Sequence, residues 1–212
     1  MTHTKANIHD IMAAAPVIPV LNFTSVDEAV SVCRALVAGG LKVLEITMRH
    51  ESALDCIRAV AADQPDAYVG AGTVLDAEGA DAAMAAGAVF GVSPGLTAQL
   101  ASAIRFLDWA FLPGVASVSE AMQAREWGFK ALKCFPANVV GGPAFIKAVS
   151  SVLPDLSFCP TGGISLATAP DYLAVPAVKV VGGSWLAPRG ADGTINPAEC
   201  QRLAEEALKA LS

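Results

Sequence analysis

Eight short apolar runs, separated by segments of helical period, leave this 212-residue chain few folds to choose from. The runs cover residues 16–22, 42–47, 68–71, 89–92, 109–112, 129–135, 156–159 and 178–181, and each is too short to be a buried helix. Helical patterns fill the gaps, with a leading helix at 6–14 and a closing one at 197–211. Ser25-x-x-Glu28 opens the first internal helix as a capping box, and Gly39-Gly40 closes it. Strands that alternate with helices pair in parallel, because each crossover returns the chain to the same end of the sheet. Eight is the number at which such a sheet closes on itself. The chain therefore predicts an α/β fold, a (β/α)8 TIM barrel with an N-terminal helix, as a single domain over residues 1–212. A doubly wound open sheet is the alternative, but no G-x-G-x-x-G follows the first run and no acidic residue is placed to receive a ribose. In a barrel, functional groups gather at the C-terminal ends of the strands.

Composition excludes several function classes. A net charge of −6 without a basic cluster argues against a nucleic-acid footprint or an anionic-membrane patch, so an anionic ligand must be held locally. Charged residues are only 16% of the chain and hydrophobic ones 54%, which leaves apolar surface for other subunits to cover. The longest uncharged run, residues 82–104, is interrupted by Gly87, Pro94, Gly95 and polar side chains, and reads as globular rather than membrane-spanning. The N-terminal MTHTKANIHD lacks the continuous apolar region of a secretory signal, so the cytoplasm is the expected compartment. Cys33, Cys56, Cys134, Cys159 and Cys200 are scattered and odd in number, as reduced core thiols are. His3, His9 and His50 form neither a metal cluster nor a Ser-His-Asp spacing, and His50 reads as a solvated loop residue. No metal and no cofactor is called for.

The run FKALKCFP, residues 129–136, carries Lys133 among apolar neighbours. Alternation places Lys133 on one face between Ala131 and Phe135, whereas Lys130 lies near the strand entrance and reaches water. Burial disfavours an ammonium ion and makes a neutral amine accessible, the form that attacks a carbonyl. A structural lysine paired with a carboxylate, or one that snorkels out of the core, is the competing reading. In VLEITMR the same alternation puts Val43, Glu45 and Thr47 on one face, so a carboxylate joins the buried set. Glu45 can pair with Lys133, act as a general acid and base, or do both at different stages. Arg49 follows just beyond the strand; taken alone it reads as a surface arginine, although its fork suits a carboxylate.

Glycine-rich strand ends add a third group of candidates. Gly70-Ala71-Gly72-Thr73, Ser93-Pro94-Gly95 and Pro113-Gly114 are individually ordinary turn chemistry. CPTGGIS at 159–165 and VGGSWL at 181–186 repeat a Gly-Gly-polar arrangement after the last two strands, where barrels hold phosphates on backbone amides.

Assembled in order, PVIPVL, VLEITMR, VGAGTV, SPG, PGV, LKCFPA, PTGGIS and GGSWL resemble the class I 2-keto-3-deoxy-6-phosphogluconate (KDPG) aldolase family, which includes 4-hydroxy-2-oxoglutarate aldolases. The resemblance covers nearly the whole chain. It implies a carbon–carbon lyase that cleaves KDPG reversibly to pyruvate and glyceraldehyde 3-phosphate in the Entner-Doudoroff pathway. It implies that Lys133 forms the Schiff base, Glu45 moves protons, Arg49 and Thr73 hold the pyruvate carboxylate, and Pro94 and Phe135 wall the pocket. Gly162, Gly163 and Ser184 would face the phosphate and Thr161 the rest of the substrate, in a homotrimer without metal. One departure touches the substrate: some relatives carry an arginine around the first strand, whereas here no Lys or Arg occurs between Lys5 and Arg34. Amides alone, or a neighbouring subunit, would then hold the phosphate. 4-Hydroxy-2-oxoglutarate (giving pyruvate and glyoxylate) and the galactonate-derived epimer of KDPG are the alternative substrates. A non-covalent phosphate-binding barrel isomerase using Glu45, or an inactive metabolite binder, are the readings from other classes.

Overall fold

A computed structural model describes residues 7–211; Ala6 of the leading helix, His3 and Lys5 lie outside the described residues. The order of elements is α1 (Ile8–Ala13), β1 (Val17–Leu21), α2 (Val26–Ala38), β2 (Val43–Thr47), α3 (Ala53–Asp63), β3 (Tyr68–Gly72), α4 (Ala77–Ala85), β4 (Phe90–Val92) and α5 (Ala98–Leu107). Then follow β5 (Ala110–Leu112), β6 (Gly114–Val115), α6 (Val118–Glu126), β7 (Ala131–Cys134), α7 (Gly142–Val152), β8 (Ser157–Pro160), α8 (Ala169–Leu173), β9 (Val181–Gly183) and α9 (Pro197–Leu211). All strand pairings are parallel, in a six-stranded sheet ordered β5-β4-β3-β2-β1-β9 and a three-stranded one ordered β6-β7-β8. Single parallel bridges, Phe158 with Val178 and Thr161 with Gly182, link β8 to the β9 segment. The result is an α/β fold with a curled parallel sheet. Among the described residues no helix is long and apolar enough to cross a membrane.

Two strands differ from the sequence reading. The fifth run, read as 109–112, is followed in the structure by a further short strand, β6, where Pro113-Gly114 reads as a turn; Pro113 has no N–H to give the ladder, but its carbonyl accepts from Lys133 N at 2.8 Å. The last strand begins at Val181 rather than 178, so Gly182 and Gly183 belong to the strand and not to a loop beyond it. Residues 178–180, Val-Lys-Val, alternate as a strand would, but backbone pairing with β1 starts only at Val181 with Val17.

Side-chain alternation sorts the core into two sets. Ile18, Val43, Phe90, Val92, Leu112, Ala131, Cys159 and Val180 point inward and meet Ile11 and Met12 of α1, which covers the N-terminal ends of the strands. Outward-facing residues such as Leu44, Ile46, Val69, Leu132 and Phe158 pack under the helices. Phe90 is fully buried, worth about 2–3 kcal/mol of apolar burial. Its ring occupies the space a Cβ would need at inward-facing Gly70, which explains a glycine inside a strand.

Helix α2 shows how local signals set the outer layer. Ala29, Val32, Cys33 and Leu36 recur at helical spacing and are buried, and Ser25 Oγ accepts from Glu28 N at 3.3 Å. The reciprocal half of the capping box is not formed: Glu28 sends its carboxylate to Arg189 instead, at 2.9 and 3.0 Å. Gly39 ends the helix because α9 lies against it, with Ala204 Cβ 2.7 Å from where a Cβ would stand.

Candidate active site

β2 and β7 belong to different sheets, and their inward side chains meet between them. Lys133 Nζ donates to Glu45 Oε1 at 3.2 Å, across 88 residues of sequence. Both are buried, Lys133 at 6% and Glu45 at 3% exposure, so neither has the solvent screening that makes surface pairs weak. The Lys133 nitrogen also stands 5.5 Å from the centre of the Phe135 ring, a cation–π distance. Lys130, by contrast, is half exposed and binds Asp155, as its position at the strand entrance predicts.

The next inward position of β3, Gly72, pairs with Thr47 in the ladder and is again a glycine. A Cβ on Gly72 would overlap the Glu45 carboxylate, so the empty side chain is the space in which the carboxylate turns toward Lys133. Just beyond, Thr73 takes φ +62°, a left-handed conformation that costs a β-branched residue on the order of 1–3 kcal/mol and persists only where surroundings impose it. Arg49 Nε donates to Thr73 Oγ1 at 3.4 Å, and Arg49 is exposed. Two candidate carboxylate-binding groups thus leave adjacent strands at the same level, since Thr47 and Gly72 are partners in the ladder. Pro94 leaves β4 half-buried, and its carbonyl fills the place of a Cβ on Gly114; Phe135 leaves β7, also half-buried. The neighbouring Ser93 hydroxyl is buried with no hydrogen-bond partner among the described residues.

At the ends of β8 and β9, Thr161 is buried and touches Cys159 Sγ at 3.9 Å, and Gly182 makes room for its side chain. Gly162 (φ +104°) and Gly163 (φ +71°) turn the chain out of the sheet through conformations that only glycine adopts without strain. Asn138 backs this turn: its N–H donates to Gly162 O at 3.2 Å and its amide occupies the Cβ position of Gly163. The N–H groups of Gly163 and Ser184 donate to no acceptor among the described residues, and both residues are exposed.

Burial pushes the Cys159 thiol up to about 12, and the Cys134 thiol likewise, so both sulfurs stay as neutral, weakly reactive thiols. His50 lies away from this chemistry. It accepts from Ser52 N at 3.2 Å and pairs with Ser52 Oγ at 2.8 Å, serving the start of α3. A cleft of about 470 Å³ lined by Asn7, Trp109, Phe129 and Lys130 lies at the opposite, N-terminal ends of the strands and contains none of the candidates. Among the described residues no group of three or more His, Cys, Asp or Glu is placed to hold a metal ion.

The structure therefore brings Lys133 to Glu45 and Arg49 to Thr73, and sets Thr161, Gly162, Gly163 and Ser184 at the last two strand ends. It adds Asn138 and Thr47, whose hydroxyl donates to Leu21 O at 2.9 Å. Thr47 shares the face of Glu45 and was visible in the alternation; nothing in the sequence singles out Asn138.

An amine and a carboxylate buried side by side in a curled parallel sheet make an arrangement suited to carbonyl chemistry. The chain belongs to the KDPG and KHG aldolase family, which matches residues 8–203 and is a family of carbon–carbon lyases. It is 43% identical over 208 residues to a 2-dehydro-3-deoxy-phosphogluconate aldolase of Pseudoalteromonas atlantica, covering 98% of this chain and 95% of the relative. A crystal structure of the 2-keto-3-deoxy-6-phospho-gluconate aldolase of Zymomonas mobilis superimposes with a TM-score of 0.93 at 43% identity, over 98% of both chains. The KDPG aldolase of Legionella pneumophila, solved with pyruvate captured as a covalent carbinolamine, gives 0.92 at 38% identity over 97% of this chain and 100% of that one.

Proposed function

We propose that this chain is a Schiff-base aldolase that cleaves 2-keto-3-deoxy-6-phosphogluconate reversibly to pyruvate and glyceraldehyde 3-phosphate. The observation that carries the proposal is the buried Lys133–Glu45 contact at 3.2 Å, which gives one group able to attack a carbonyl and another able to move its protons. Lys133 Nζ adds to the 2-keto carbon, giving a carbinolamine that loses water to an iminium. Glu45 then takes the proton of the C4 hydroxyl as the C3–C4 bond breaks, and the bonding electrons flow into the iminium. Glyceraldehyde 3-phosphate leaves. The remaining enamine is protonated on carbon, with Glu45 returning the proton, and water hydrolyses the iminium to pyruvate and free Lys133. Arg49 and Thr73 hold the carboxylate that fixes the carbonyl against the amine. Pro94 and Phe135 wall the pocket, Thr161 faces the middle of the substrate, and Gly162, Gly163 and Ser184 receive the phosphate on neutral donors.

The sheet is read as a closed (β/α)8 barrel, with β5 and β6 as one interrupted strand. The bridges from β8 to the β9 segment and the pairing of β9 with β1 support closure, and the adjacency of first and last strands supports one domain over the whole chain. Phe106 at 90% and Val139 at 74% exposure support a homotrimer that covers part of this surface; the cytoplasm is the compartment that fits. 4-Hydroxy-2-oxoglutarate is the second substrate, favoured by the lack of any Lys or Arg between Lys5 and Arg34.

Borohydride reduction in the presence of pyruvate, followed by peptide mass spectrometry, tests the mechanism. A reduced adduct on Lys133, absent in Lys133→Ala, is the expected result. No adduct at a pyruvate concentration that demonstrably saturates the protein would overturn the covalent route.

A further inference from the structure

We infer that Arg189 is a positioning residue for the phosphate end of the substrate, acting by fastening the loop after β9 to the exit of β1. The inference rests on the phosphate-site reading given above. Neutral donors hold an anion well only when they are fixed in advance, because any ordering they lack is subtracted from binding. Ser184 is exposed and opens a connection, residues 184–196, that is long for a segment between a strand and a helix. Its apolar footing is Leu186, fully buried, and Trp185, whose ring takes the Cβ space of Gly183.

The outer part of that connection folds back on itself. Arg189 and Ile195 form an antiparallel bridge, Gly190 N donates to Thr194 O at 2.8 Å, and Asp192 accepts from Thr194 N at 3.0 Å. From the start of this turn the Arg189 guanidinium reaches across to other elements while keeping one bond within the turn. Nη1 and Nη2 donate to the two oxygens of Glu28 at 2.9 and 3.0 Å, Nη2 to Asn22 O at 2.8 Å, and Nη1 to Gly193 O at 2.6 Å. The first three bonds cross to other elements, since Asn22 follows β1 and Glu28 lies in the first turn of α2. Asn22 in turn accepts from Thr47 Oγ1 at 3.4 Å, and Thr47 stands two residues from Glu45. One planar guanidinium thus ties three elements at the strand ends, which a lysine, a point charge on a flexible stem, does less completely. Its charge is matched by the Glu28 carboxylate, only 16% exposed, so it acts as a fastener and not as a direct phosphate ligand.

Steady-state kinetics on Arg189→Ala, Arg189→Lys and Glu28→Ala test this, with KDPG compared against 4-hydroxy-2-oxoglutarate, which has no phosphate. Arg189→Ala is expected to raise KM for KDPG about tenfold with kcat within about twofold, as loss of a supporting contact does, and to leave KM for 4-hydroxy-2-oxoglutarate unchanged. Glu28→Ala should give the same pattern, and Arg189→Lys should recover part of the loss. An unchanged KM for KDPG in Arg189→Ala, or equal losses on both substrates, would overturn the inference. So would tighter KDPG binding in Glu28→Ala, which would mean that a freed guanidinium binds the phosphate itself. A wild-type enzyme with no preference for the phosphorylated substrate would instead overturn the phosphate-site reading, and the inference with it.

Discussion

Replacing Gly72 by alanine tests the place of the carboxylate in the chemistry without removing any titratable group. A methyl at residue 72 would overlap the carboxylate oxygen of Glu45 and stand 2.8 Å from its Cγ and 3.0 Å from its Cδ. Ordinary contact begins at 3.4 Å, so the Cγ must retreat from 2.8 to 3.4 Å, a shift of about 0.6 Å. The Lys133–Glu45 bond is already 3.2 Å, and a retreat of that size along it passes the distance at which a hydrogen bond exists. Overpacking of this kind costs about 1–3 kcal/mol of stability. For a chain of this length each kcal/mol lowers Tm by about 2–4 °C. The kinetic effect is larger, because a displacement approaching 1 Å costs up to about 10²-fold in rate, or about 2.7 kcal/mol of barrier. The expected outcome is a folded Gly72→Ala protein whose kcat for KDPG cleavage, followed by pyruvate release, falls about 10²-fold, while borohydride still traps pyruvate on Lys133. A folded variant with wild-type kcat would refute the reasoning, because the carboxylate would have been displaced without consequence. Loss of trapping would refute it differently, by making Glu45 a support for the lysine and not a proton carrier.

The other predictions concern stability and reactivity. Phe90→Ala empties the centre of the inward-facing core and should cost about 3–5 kcal/mol in urea unfolding; a loss below about 1 kcal/mol would mean that the space beside Gly70 collapses freely. Burial pushes the Cys134 and Cys159 thiols up to about 12, so at pH 8 a disulfide reagent should leave both unmodified in the folded protein and label both once it is unfolded. Rapid labelling of folded Cys159 would contradict its packing. Arg125 and then Lys130 hold the Asp155 carboxyl well below the usual carboxylate range. A depressed folded value contributes stability above the unfolded value, near about 3.9, and loses it as pH falls through the folded one. Asp155→Asn should therefore flatten the acid limb of a stability profile below about pH 4, and identical limbs in both proteins would show the cluster to be idle.

Legibility in the sequence followed the range of the interaction. Helix α2 is readable because the Ser25 cap, the Gly39 stop and the apolar stripe lie within a few residues of one another, and the structure gives these three the same roles. The fifth strand is readable over 109–112, but β6 beyond it is not, because a proline tells that a donor is missing and not whether the ladder resumes beyond it. The start of β9 was misplaced because Val178–Val180 is strand-like on its own, whereas pairing with Pro16–Pro19 of a distant segment begins three residues later. Glu28 was assigned to its own helix cap, and a guanidinium 161 residues away outcompetes that role.

Alternation alone put Lys133 and Glu45 on buried faces, since successive side chains in any strand point to opposite sides. It did so for each strand separately. That the two faces are one interior, with the amine 3.2 Å from the carboxylate, was decided by the curl of the sheet, a sum of strand twists and helix packing that no local window contains. The same holds for the glycines: the sequence by itself shows Gly70 and Gly72 only as a glycine-rich strand end, and the folded chain alone decides that the Phe90 ring fills the space at one and the Glu45 carboxylate at the other.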